Sequence, residues 1–116
     1  MKGVNTLNLP ITFDWEPLDP AVGGTHVMTH GGANDSFGLG NIKVINFENS
    51  AQAAIPFLQA ANRTIIDCPH TRGHQPAPGV GPKQIVSFFK AHKLGEKSPW
   101  AGGKVPAGWP STCTVK

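Results

Sequence analysis

No run of about 18 apolar residues occurs anywhere in the chain, which excludes a helical membrane span. Charge is sparse, with ten basic and seven acidic side chains in 116 residues, so the chain does not read as disordered. The net charge of +3 comes from scattered residues such as Lys2, Arg63, Arg72, Lys83 and Lys104, with no run of five. Nucleic-acid binding needs a concentrated basic face and is not expected. Lys90, Lys93 and Lys97 are spaced to share a helix face, which reads as a solvated surface. Only Cys68 and Cys113 carry thiols, so one disulfide is permitted, and there is neither a CxxC redox pair nor a metal-type cysteine spacing. Met1–Thr6 has no apolar export-signal core. Tyrosine is absent, and the Pro spacing excludes a coiled coil.

What is abundant is glycine and proline, 25 together, interleaved with apolar clusters. That pattern predicts one globular domain, 1–116, with long loops. Ile11–Trp15 alternates apolar and polar residues and reads as a strand; Thr25–His30 reads as another. Residues 31–40, with four glycines and one acid, read as loop. A helix is expected over about 49–61, capped at Asn49 or Ser50 and blemished by Pro56. Thr64–Cys68 reads as a buried strand, and 69–81 must be loop. Pro82 opens a helix carrying Ile85, Val86, Phe88, Phe89 and Leu94, with Gly95 as its stop. The Gly/Pro-rich tail, 96–116, holds Trp100 and Trp109, expected to pin it to the body. Strands alternating with helices imply a parallel α/β sheet, whose working groups sit on loops at the strands' carboxyl ends.

Two such loops carry Asp35 and, 39 residues later, His74. Serine-type hydrolysis needs an imidazole to take the nucleophile's proton and a carboxylate to orient and stabilise that imidazole. In one large fold the acid and the base follow consecutive strands in this order. His70 is a rival base, while Asp67 reads as capping a turn. His26 and His30, and likewise His70 and His74, are four apart, with no Glu completing a zinc-protease pattern. On a strand that spacing separates the rings by about 13 Å. Polar loop histidines are the plainer reading, and a small metal-binding protein is an alternative. Cys68 lies near His70 and His74 in sequence, but a reactive cysteine wants a helix N-terminus or a cationic partner, and a buried or disulfide-bonded cysteine is the plainer reading.

Residues 25–95 resemble the C-terminal core of an α/β-hydrolase, closest to polyhydroxybutyrate-depolymerase-like and feruloyl-esterase-like secreted esterases. The resemblance rests on Thr25–Asp35, on Asp67–Pro76 with its Gly-His-x-Pro, and on Ile85–His92; the tail Ser98–Cys113 is also similar. It implies a partial α/β-hydrolase fold of parallel strands with flanking helices and an irregular tail. It further implies Asp35 as triad acid, His74 as triad base, an ester substrate (polyhydroxyalkanoate or aromatic), no cofactor or metal, and a secreted or periplasmic setting. Cys68 is then expected to pair with Cys113 or with a cysteine in a preceding half. The family's Gly-x-Ser-x-Gly is absent; Ser36 comes nearest but lacks the first glycine. The chain alone is therefore expected to be inactive without a missing N-terminal half, and its unpaired sheet edge is expected to favour self-association or a partner chain. A non-catalytic, degenerate hydrolase module is the rival.

Overall fold

The computed structural model describes residues 15–116. The elements run β1 (Thr25–His30), a 3-10 turn (Gly32–Asn34), β2 (Ser36–Leu39), β3 (Ile42–Asn46), α1 (Phe47–Ala60), β4 (Thr64–Pro69), α2 (Pro82–Ala91) and β5 (Thr114–Val115). β1 and β4 pair in parallel, Thr25 opposite Thr64 through His30 opposite Pro69. β5 adds to the other edge of β4 in antiparallel sense, giving a mixed sheet ordered β1-β4-β5. β2 and β3 form a separate antiparallel hairpin. Helices and a mixed sheet containing one parallel pair are compatible with the α/β class. The strand expected at 11–15 lies outside the described residues except for Trp15, which sits in no strand and packs edge-on to Phe57 at 4.8 Å.

β4 sits centrally because, apart from Asp67, it buries apolar side chains on both faces, as a strand covered on two sides requires. Ile65, Ile66 and Cys68 are all buried. Ile66 and Cys68 meet Phe88 of α2 and Trp109 and Cys113 of the tail, with Val27, Val80 and Trp100 packed around them. Strand alternation turns Ile65 and Asp67 to the opposite face, under α1, whose buried residues are Ala51 and Ile55.

Asn46 caps α1 by accepting the Asn49 N–H at 3.0 Å, so the helix starts earlier than expected. It runs through Pro56, which is exposed, as is Gln52 four residues back, whose carbonyl loses its donor. α2 ends at Ala91, short of Leu94, which is almost fully exposed. Of the pair Phe88 and Phe89, only Phe88 enters the core. Lys93 and Lys97 lie beyond the helix, so the three-lysine face does not form.

The tail is more ordered than its composition suggests. Cys68 and Cys113 are disulfide-bonded. Trp109 donates its indole N–H to Ser87 at 3.3 Å, and the Trp100 and Trp109 rings meet edge-on at 5.7 Å. Gln84 binds the Gly108 carbonyl at 2.8 Å. Ser98, itself buried, donates to Nε2 of His92 at 2.7 Å while His92 Nδ1 donates to the Phe88 carbonyl at 2.8 Å.

Candidate active site

Parallel pairing brings the carboxyl ends of β1 and β4 side by side, and the loops leaving them are joined by backbone bonds. The His70 N–H donates to the His30 carbonyl at 2.9 Å, and the Gly73 N–H to the Gly31 carbonyl at 3.0 Å. Only glycine permits this approach: a Cβ on Gly31 would stand 2.0 Å from the Gly73 oxygen, and Gly73 itself has φ +64°.

The crossing sets Asp35 against His74, with Asp35 Oδ1 3.1 Å from His74 Nδ1. The second carboxylate oxygen accepts the Gly31 N–H at 2.7 Å. The Asp35 carbonyl accepts the Phe47 N–H at 2.9 Å, anchoring the residue to the start of α1. The Phe47 ring stacks on the His74 imidazole, centroids 4.3 Å apart and 15° from parallel. The acid is thus buried and fixed, whereas 63% of the His74 side chain is accessible. Because a carboxylate only accepts, the contact places an N–H on Nδ1, and in the neutral ring the lone pair is then on Nε2. The two residues open on a cleft of about 350 Å³ lined also by Thr29, Phe47, His70 and Pro76.

This arrangement can take up a proton at Nε2 and hold the resulting imidazolium against a buried carboxylate. Among the described residues no serine hydroxyl is bonded to His74. Ser50, Ser87 and Ser98 are engaged elsewhere, with Asn46, Gln84 and His92. Cys68 is committed to its disulfide. Among the described residues the rival base His70 has no carboxylate partner; its Nδ1 accepts the Arg72 N–H at 3.2 Å. No group of three metal-ligating side chains is found among the described residues. Burial and the Arg63 charge hold His26 below its ordinary 6.5.

Asp67, expected to cap a turn, instead lies buried within β4. His30, only 3% exposed, stands between two carboxylates: Nε2 is 2.8 Å from Asp67 Oδ1 and Nδ1 is 2.7 Å from Glu48 Oε2. Lys116 closes on the other Asp67 oxygen. Burial presses His30 downward, but hydrogen bonds and charge from Glu48 and Asp67 outweigh it and raise the imidazole above 6.5. Burial likewise works to raise Glu48; bonds from Gln52, His30 and the Gly32 N–H, with the His30 charge, hold it below 4.5 instead. One signal for this cluster was present in the sequence: an acid inside the otherwise apolar run Ile65-Ile66-Asp67-Cys68 needs a partner.

Comparisons with protein-family models, with curated proteins and with solved structures find no match to this chain.

Proposed function

We propose that the chain is the C-terminal portion of a serine carboxylic-ester hydrolase of α/β-hydrolase type, with Asp35 as the triad acid and His74 as its base. The observation that carries this reading is the Asp35–His74 hydrogen bond at the carboxyl ends of adjacent parallel strands. That is the position and the order in which such a hydrolase holds its acid and base. The nucleophile comes from a segment bearing Gly-x-Ser-x-Gly. It adds at the outer edge of β1, which no strand covers among the described residues. Without it, that edge pairs with a second copy.

In the reaction, His74 Nε2 takes the serine proton as the hydroxyl attacks the ester carbonyl. It returns that proton to the leaving alcohol, then activates water to release the acid. Asp35 holds Nδ1–H throughout and offsets the imidazolium charge. Neither a metal nor a cofactor enters the scheme. Polyester oligomers of hydroxyalkanoates or aromatic esters are the substrate classes, and the Cys68–Cys113 disulfide suits an oxidising, extracytoplasmic compartment.

Hydrolysis of p-nitrophenyl butyrate tests the reading. The chain alone is expected to give the buffer rate, because an acid–base pair without a nucleophile forms no acyl-enzyme. Joined to the in-frame sequence encoded ahead of Met1, it is expected to turn over, with His74→Ala lowering kcat by about 10³-fold or more. An upstream sequence without the serine motif, or turnover indifferent to His74→Ala, would contradict it.

A further inference from the structure

His30 takes no part in the scheme above, yet it is buried, only 3% exposed, beside the loop that carries Asp35. Both ring nitrogens face carboxylate oxygens, which only accept. A neutral imidazole has a single N–H, so it satisfies one of these contacts and turns a lone pair against the other. The doubly protonated ring satisfies both. Glu48 Oε2, which receives Nδ1–H, also accepts the Gly32 N–H at 2.9 Å. The Gly32 carbonyl in turn accepts the Asp35 N–H at 2.8 Å, closing the 3-10 turn. Gly31, adjacent to His30, donates to the Asp35 carboxylate. A continuous set of short contacts therefore runs from His30 through Glu48 and Gly32 to Asp35.

We propose that His30, as an imidazolium clamped between Glu48 and Asp67, is a positioning residue for Asp35, and that loss of its proton loosens the Asp35–His74 pair. The groups facing the ring come from every element around it. Glu48 comes from α1, Asp67 from β4 with Lys116 behind it after β5, and Asp35 from the turn by way of Gly31. Deprotonation leaves Glu48 or Asp67 opposing a lone pair. The Glu48 contact also orders the Gly32 amide, so releasing it frees the turn that carries the acid. Calling Asp35 a triad acid rests on the proposed hydrolase; the coupling between His30 and Asp35 does not.

The test is a pH titration of the intact chain by NMR, following the His30 and His74 ring signals and the Gly31 amide. The Gly31 amide and the His74 ring are expected to shift together at the midpoint at which His30 loses its proton. In Glu48→Gln, which keeps an acceptor but removes one charge, that shared midpoint falls by about one pH unit. In His30→Gln the step disappears. Should His30→Gln fail to fold, the displaced midpoint in Glu48→Gln decides the matter. A merely structural His30 would change the unfolding temperature without giving Gly31 and His74 its own midpoint. Signals of Gly31 and His74 indifferent to His30, or a midpoint unmoved in Glu48→Gln, would overturn the proposal. None of these readouts uses an ester or a serine, so a failed hydrolysis assay and a failed titration remain distinguishable.

Discussion

Asp35 and His74 form one hydrogen bond but sit in opposite surroundings, and their substitution is expected to separate accordingly. Asp35 is buried, with one oxygen on His74 and the other on the Gly31 N–H. Truncation leaves a buried amide without its acceptor, so Asp35→Ala is expected to lower stability by about 1–3 kcal/mol. His74 is largely accessible and stacks on Phe47 over one face. His74→Ala is expected to stay within about 0.5 kcal/mol of the parent protein. Urea unfolding of both variants checks this, and equal losses would show His74 to be a packing residue. At this scale the meeting of Asp35 with His74 was legible because glycine marks both loops and because both follow strand patterns. The tie between them, Gly31 against Gly73, was not. A close approach between residues 42 apart depends on strand pairing that the local sequence does not encode.

The sheet and its helices carry the pH dependence of the fold. His30 on β1 is raised above 6.5, so its stabilising contribution is full below that value and is lost as pH climbs through its folded value. Glu48 on α1 is lowered below 4.5, so its contribution is full above 4.5 and is lost as pH falls through its folded value. His26, lowered below 6.5, contributes fully only above 6.5 and loses its share as pH falls. Of these three groups only His30 weakens the fold on the alkaline side. Urea midpoints followed against pH are therefore expected to decline above about 6.5 in the parent protein and to lose that decline in His30→Gln. An unchanged decline would assign it elsewhere.

Legibility also varied by element. β1, β4 and α2 were readable from apolar clustering and from Pro82 as a helix opener. The start of α1 was misplaced because Asn46 outcompeted Asn49 as cap. Of the β2–β3 hairpin, β2 was hidden in a glycine-rich stretch read as loop and β3 was assigned to no element. Its signal was Gly40-Asn41 between Phe37-Gly38-Leu39 and Ile42-Lys43-Val44, a two-residue turn flanked by strand-forming residues.

For the molecule as a whole, the tail acts as part of the body. The Cys68–Cys113 bond joins the central strand to a segment 45 residues later, and Trp109 and Cys113 belong to the same core cluster as Ile66. Chain-entropy reasoning gives such a closure about 4 kcal/mol. Reduction with a thiol is expected to lower the urea-derived stability by that order; a negligible change would mean that tail packing alone holds the sheet. Gly and Pro mark the tail as irregular, and Trp100, Trp109 and Cys113 pin it to the body as their presence in the tail suggested.

The parallel pairing, the glycine crossing and the Phe47 stack all converge on one state of one imidazole. Nitrogen-15 NMR of the neutral His74 ring reads that state directly. The account predicts the proton on Nδ1, held by Asp35, with Nε2 bare, and a loss of this preference in Asp35→Ala. A proton resident on Nε2 in the parent protein, or the same spectrum in Asp35→Ala, would contradict it.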